Sequence, residues 1–216
     1  MTNNKVLWGF WMSLLFQTAL IIALPAQSIY TQLNGKKVIL QTAQIDPYEL
    51  LQGYAPEIRY DISSQDRLRN LPGWQELPKQ LPSQSNKSLI KPGTLFYVVL
   101  AEPISPTLPG LPEAWKPVAV SLKPPMQPRR DRVILKGLVE RNSIHYGLER
   151  YNIPDAQQQL LNQDLRETTK ANPAKPEKLP SIVVEIKVDD RGNANAIALW
   201  AEFGEASPPQ VRSYRF

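Results

Sequence analysis

The chain has 216 residues with no cysteine, a single histidine, 21 prolines and a formal net charge of +5. Without cysteine it has no disulfides, thiolate metal sites or cysteine nucleophiles, and the lone His145 excludes a multi-histidine metal centre. Lysine and arginine are scattered among 20 acidic residues rather than grouped beside aromatic side chains, so we predict no nucleic-acid binding, no metal and no cofactor.

The first predicted element is a transmembrane helix over about residues 6–24. Between Val6 and Leu24 no charge interrupts a run of apolar side chains that includes several aromatic residues. The length of this run is close to the ~20 residues that a helix needs to cross ~30 Å of hydrocarbon. We therefore predict a single-pass protein of the cell membrane.

Two interpretations of this N-terminal segment are open. In the first, residues 1–28 stay as a membrane anchor and residues 29–216 form a domain that faces the periplasm or a lumen. In the second, the segment is a cleaved signal peptide, because Lys5 supplies a short positive region and the residues after Leu24 resemble a weak cleavage site. The apolar run is long for a signal peptide, whose apolar region usually has about 7–15 residues, so we prefer the anchor.

After the anchor, short β-prone runs separated by proline and glycine predict one antiparallel-sheet domain. The predicted strands lie at 37–42, 94–101, 115–122, 182–188 and 194–203, and a bend within 48–62 leads to a strand that turns Ile58, Tyr60 and Ile62 towards the core. The polar, proline-rich residues 63–92 predict a surface excursion. Pro154 and Asp155 begin a short helix that we expect to lie on the sheet. The predicted fold class is mainly β, a β-rich α+β domain with one short packed helix.

Two hairpins are predicted: one joins 182–188 to 194–203 through a turn at DDRGN, and the other covers Arg132–Tyr151 and turns at Arg141 and Asn142. The predicted register places Glu140 opposite Ser143, Val139 opposite Ile144, Gly137 opposite Tyr146 and Leu135 opposite Leu148. One face of this second hairpin is then apolar, with an aromatic ring over a glycine. On the other face Lys136 lies diagonally within reach of Glu149.

Three stretches resemble the GDYXXLXY family of bacterial membrane-anchored proteins. The first is the anchor followed by KVILQTAQIDPYELLQGYAPEIRYDIS, and the second is LKGLVERNSIHYGLERYNIPDA; the third is the closing hairpin, IVVEIKVDDRGNANAIALW. The motif positions are Asp46, Pro47, Gly53, Tyr54, Ile58, Tyr60, Gly137 and Gly147. The naming motif departs from the family at Tyr54, which stands where its aspartate would be. The resemblance implies a bacterial envelope protein, often found with polytopic membrane proteins, and no particular reaction.

The candidate binding residues surround one acidic side chain, Glu149. A carboxylate within a β-rich hairpin needs a partner if it is buried. The structural explanation is an ion pair with Lys136 across the strands, and the functional one is contact with a ligand or a partner protein. The binding hypothesis names Glu149, Tyr151, Lys136, Tyr146 and Arg150. Direct acid–base cooperation of Glu149 with His145 is disfavoured, because four residues along a strand span about 13 Å.

Two functions follow from these patterns. The first is a non-enzymatic accessory or binding protein that works with a polytopic membrane protein. The second is an envelope hydrolase in which Glu149 acts as acid or base, Lys136 sets its pKa and Tyr151 holds the substrate.

Overall fold

The strands of the chain form two four-stranded antiparallel sheets and one small hairpin. A computed structural model describes residues 3–43, 58–81, 88–104, 110–125, 129–150, 154–170, 181–203 and 210–216. Helix α1 covers Asn3–Asn34, α2 Gln65–Leu68 and α3 Asp155–Lys170. The strands are β1 Lys36–Gln41, β2 Lys79–Gln80, β3 Leu89–Ile90, β4 Leu95–Ala101, β5 Lys116–Ser121, β6 Arg132–Glu140, β7 Ser143–His145, β8 Ser181–Val188, β9 Ala194–Phe203 and β10 Gln210–Arg215.

The first sheet has the strand order β1-β8-β9-β10, and the second has the order β5-β4-β6-β7. Most of the buried apolar residues of both sheets belong to a single hydrophobic cluster. Successive side chains of a strand point to opposite faces of the sheet, which explains this core. On β6, Val133, Leu135 and Val139 are buried, while Leu138 and Glu140 point outward. The prediction of a β-rich fold with antiparallel strand pairing is confirmed, and the structure has a few short helices where one was predicted.

The N-terminal helix differs from a straight span over residues 6–24. It continues to Asn34, with Pro25 inside it, and the part Phe10–Ile21 makes an angle of 41° with the part Pro25–Asn34. Among the described residues no single straight helix is both long and apolar enough to cross a membrane. The two parts of this bent helix are long and apolar enough only when they are taken together. A proline inside a helix removes one hydrogen bond and introduces such a bend.

The region after the first strand is the main correction to the sequence-based prediction. Ile58, Tyr60 and Ile62 are buried as expected, but Tyr60 makes only an isolated bridge to Thr42, and Asp61–Ser63 form a 3-10 turn instead of a strand. The stretch 63–92 is not wholly a surface excursion either. It buries residues throughout its described part: Ser63, Gln65, Leu68, Trp74, Leu77 and Ile90.

Both predicted hairpins form, and the one that turns at Arg141 and Asn142 has the expected pairing near its turn. Glu140 lies opposite Ser143 and Val139 opposite Ile144, but the ladder ends at His145, so the predicted pairing of Leu135 with Leu148 is wrong. The pairing stops because Gly147 adopts a left-handed backbone conformation, with φ of 74°. The helix predicted from Pro154 and Asp155 is α3, and the final strand β10, which pairs with β9, was not predicted.

Candidate functional site

Two distant parts of the sequence meet at the loop that follows β7. The backbone N–H of Ile58 donates to the carbonyl of Glu149 at 2.8 Å, and the hydroxyl of Tyr60 donates to the carbonyl of Leu148 at 2.8 Å. In return, the Tyr146 hydroxyl donates to the carbonyl of Ile62 at 2.7 Å. These three bonds join residues 58–62 to residues 146–149, and we call this contact the motif junction.

Tyr146 is the buried centre of the motif junction. Its ring lies over Gly137, where an added Cβ would be 3.0 Å from the ring, so the predicted contact of an aromatic ring with this glycine is confirmed, although the strand pairing does not reach it. Burial, and then the negative charge of Glu149, raise the pKa of Tyr146 well above its ordinary value. The phenol therefore stays a neutral donor to the Ile62 carbonyl.

Glu149 is buried, and its own loop supplies a partner. The backbone N–H of Tyr146 donates to Oε1 of Glu149 at 2.5 Å. None of the ion pairs between described residues joins Glu149 to Lys136, so the cross-strand pair expected from sequence does not form. The physical reason is again that the strand ends at His145, which turns Glu149 back towards the hairpin.

Beside this loop lies a groove of about 570 Å³ on the outward face of β6. Its lining includes Lys136, Leu138, His145 and Glu149, together with Leu95 of the neighbouring strand, residues of the β8–β9 turn, and Gln27 of α1. A second depression of about 560 Å³ shares Glu140, His145 and Glu149 with the groove. The sheet face that carries Lys136 is therefore open, and it forms a concave surface with α1 at one wall.

The β8–β9 turn fixes α1 against the sheets. Buried Thr31 of α1 donates to Oδ2 of Asp189 at 2.8 Å, and Asn195 donates to the carbonyl of Ser28 at 2.7 Å and to its hydroxyl at 2.9 Å. On its other side the turn contacts β6, because the backbone N–H of Lys136 donates to the carbonyl of Gly192 at 2.9 Å. One turn thus joins the helix, the first sheet and strand β6 of the second sheet.

Asp189 holds this turn together with several hydrogen bonds. Its Oδ1 accepts from the backbone N–H groups of Arg191 and Asn193, each at 2.9 Å, and the Asn193 amide also donates to both carboxylate oxygens. Burial raises the pKa of Asp189, but the hydrogen bonds from Asn193, Thr31 and Arg191 outweigh it, so the pKa lies below its ordinary value. The carboxylate is therefore charged at neutral pH.

The remaining predicted site residues fall into two groups. Lys136 is half-buried in the groove, Arg150 is exposed, and Gly147 supplies the left-handed turn that ends β7. Tyr151 lies outside the described residues, as do the motif positions Asp46, Pro47, Gly53 and Tyr54.

Sequence reasoning missed the contribution of α1 and of the β8–β9 turn to the groove. A signal was available, because the polar residues Gln27, Ser28 and Thr31 follow the apolar run at the spacing of one side of a helix. The DDRGN segment was correctly predicted as a turn, but its long-range contacts with Thr31 and Lys136 leave no local pattern.

The motif junction predicts a specific loss of stability for Tyr60→Phe. Removal of the hydroxyl leaves the buried carbonyl of Leu148 without this donor, so we expect the free energy of unfolding to fall by about 1–2 kcal/mol. Urea unfolding of the full chain in detergent measures the change. Tyr97→Phe is the matched control, because no hydrogen bond of the half-buried Tyr97 hydroxyl occurs among the described residues, and it should change stability by less than about 0.5 kcal/mol. Equal losses for the two variants would contradict this assignment.

A family model described as GDYXXLXY protein matches residues 17–199, from the middle of α1 into β9. No curated protein and no solved structure gives a match.

Proposed function

The chain belongs to the GDYXXLXY family, and from this premise we propose that it is a membrane-anchored accessory or binding protein, with its domain outside the cytoplasm, that works with a polytopic membrane protein. The proposal has two parts, an anchor and a partner surface. The observation that carries it is the groove, in which the outward face of β6 and the end of the apolar helix form one concave surface.

The anchor is supported by the surroundings of α1. Every residue from Phe10 to Ile21 is exposed, including aromatic and aliphatic side chains on all sides of the helix. A helix that is apolar all round belongs in a protein core or in lipid, and this one lies outside the hydrophobic core cluster of the described residues. Lipid would cover these side chains without any change in the domain.

The partner surface is supported by the character of the groove. Leu95 and Leu138 lie opposite each other in the β4–β6 register and are both exposed, with Lys136 and Glu140 next to them along β6. An apolar centre with charged residues at its rim is typical of protein interfaces. The hydrogen bonds of Asp189 hold this face at a fixed position beside α1, so a partner in the same membrane would meet it in one orientation.

We prefer binding to the alternative of an envelope hydrolase that uses Glu149. A general acid or base must exchange a proton with substrate or water, whereas Oε1 of Glu149 accepts a hydrogen bond from the Tyr146 backbone. This contact gives Glu149 a structural role in the loop that lines the groove.

The test compares two exposed leucines. The full-length tagged protein is purified from its own membranes in mild detergent as wild type, Leu138→Glu and Leu122→Glu, and the proteins recovered with it are identified. The two side chains have similar exposure, 38% and 40%, but only Leu138 lines the groove. We expect a multi-pass protein with wild type and Leu122→Glu, and at least a tenfold lower recovery with Leu138→Glu. If the two variants recovered the same amount of the multi-pass protein, the groove would not be part of the interface.

A further inference from the structure

The outer part of α1, Pro25–Asn34, has two different sides. One side is held by the domain, through the bonds of Thr31 to Asp189 and of Ser28 to Asn195. About 100° of rotation per residue places Ile29, Tyr30 and Leu33 on the opposite side. There they are exposed by 53%, 47% and 74% respectively. This apolar side, which we call the outer face, is not covered by any described part of the chain.

The bend in the helix determines how far the outer face lies from a membrane. About 12 Å of helix separates Pro25 from Leu33 at ~1.5 Å per residue. Because Pro25–Asn34 is inclined by 41° to Phe10–Ile21, the rise along the axis of the inner part is only about 9 Å, and a typical helix tilt of ~20° can reduce it to about 6 Å. The headgroup layer on each side of a bilayer is roughly 5–7 Å thick. The outer face is therefore within reach of lipid.

We propose that Pro25–Asn34 lies in the headgroup layer of the bilayer, with Ile29, Tyr30 and Leu33 directed towards the acyl chains. The inference rests on the proposed membrane anchor and adds a second contact with the same membrane. Three observations support lipid as the occupant: the face continues the apolar surface of Phe10–Ile21, it points away from the docked domain, and it carries a tyrosine. Tyrosine is enriched at membrane interfaces, where its ring meets hydrocarbon and its hydroxyl meets headgroups.

This arrangement fixes the position of the groove. Gln27 lies within the outer part of α1 and lines the groove, so seating this part in the headgroup layer holds the groove at the membrane surface. A partner would then be bound next to the bilayer, where the extramembrane loops of a polytopic protein begin.

The experiment uses the absence of cysteine from the chain. Single cysteines are introduced as Leu33→Cys, Gln32→Cys and Leu14→Cys, labelled with an environment-sensitive fluorophore, and the full chain is reconstituted in vesicles of phosphatidylethanolamine and phosphatidylglycerol. Lipids with a quencher near the headgroup or deep in the acyl chain report depth, and iodide reports exposure to water. Position 32 is the matched control for position 33, because Gln32 is exposed but lies about 100° away around the helix.

We expect shallow lipid quenchers to reduce fluorescence at position 33 at least twofold more than at position 32, and iodide to show the reverse order. Equal access of iodide to positions 32 and 33 would overturn the inference. If deep lipid quenchers still reduced the fluorescence at position 14, the anchor would remain supported. Disulfide-linked dimers of Leu33→Cys, or shielding of position 33 from both quenchers, would show that a second copy covers the outer face and would also overturn it. Absence of deep quenching at position 14 would refute the anchor, and the inference with it.

Discussion

Replacement of Asp189 by alanine is expected to lower the free energy of unfolding by about 3 kcal/mol and to release α1 from the domain. The carboxylate accepts hydrogen bonds from the Thr31 hydroxyl, from two backbone N–H groups in its own turn and from the Asn193 side chain. Its removal takes this acceptor away from the two backbone N–H groups and the Asn193 amide, and leaves the buried Thr31 hydroxyl only the carbonyl of Gln27, at 3.0 Å. Because this turn also contacts β6 through Gly192, the position of the groove relative to α1 should be lost as well.

The measurement for Asp189→Ala combines stability with distance. Urea unfolding of the full chain in detergent gives the free energy, and spin labels at Leu20→Cys and Lys91→Cys report the distance between α1 and the domain. The narrow distance distribution of the wild type should broaden in the variant. Asp190→Ala is the control, since Asp190 is the neighbouring, exposed residue of the same turn. A distribution as narrow as that of the wild type would contradict the role of Asp189 in docking.

The Asp189 contribution should also depend on pH. The pKa of this carboxyl is lower in the folded protein than the ~3.9 of an unperturbed aspartate. A group with a lowered folded pKa stabilises the protein fully above its unfolded pKa, and this stability is lost as the pH falls through the folded pKa. The difference in unfolding free energy between wild type and Asp189→Ala should therefore be constant above about pH 5 and shrink below about pH 4. A difference that grows on acidification would contradict this sign.

Replacement of Gly73 by alanine is expected to cost about 3–5 kcal/mol, or to prevent folding. Gly73 has φ of 85°, and an added Cβ would lie 1.9 Å from the carbonyl oxygen of Val120, a backbone atom that a rotamer change cannot move. The clash would also disturb the bond from the Val120 N–H to the carbonyl of Pro72 and the seating of buried Trp74.

Gly93→Ala separates the cost of a left-handed backbone conformation from the cost of the contact with Val120. Gly93 has a similar φ of 81°, but an added Cβ would meet nothing within 4 Å. This variant should therefore lose only the conformational term of about 1–2 kcal/mol. Thermal unfolding of both variants in detergent gives the comparison, and equal losses would show that the contact of Gly73 with Val120 carries no cost.

Gly73 also shows why the sequence predicted some parts of the fold and not others. Strands with local pairings were correctly predicted, as in the β6–β7 register and the β8–β9 hairpin. The packing of Gly73 and Trp74 against β5 depends on residues far along the chain and leaves no local pattern. The polar, proline-rich composition of residues 63–92 therefore suggested a surface excursion. The pairing of β1 with β8 across most of the chain is equally invisible to local patterns.

The candidate site could likewise be predicted from the sequence only where its contacts are local. Glu149, Lys136 and Tyr146 line one groove beside the β6–β7 hairpin, and the ring of Tyr146 lies over Gly137 as expected. The predicted partner of Glu149, Lys136, was wrong, because the prediction continued the β6–β7 pairing past Gly147. The bonds from Ile58 and Tyr60 to this loop could not be derived from spacing, although both residues lie in the first stretch that resembles the family.

Site-specific photocrosslinking in native membranes is the most direct test of whether the groove beside α1 binds a polytopic membrane protein. A photoreactive residue is placed at position 138 in the groove or at position 122 outside it, and the crosslinked products are identified. We predict an adduct with one multi-pass membrane protein from position 138 and none from position 122. The absence of any protein adduct from position 138, with the protein present at its normal level in the membrane, would contradict the proposed interface.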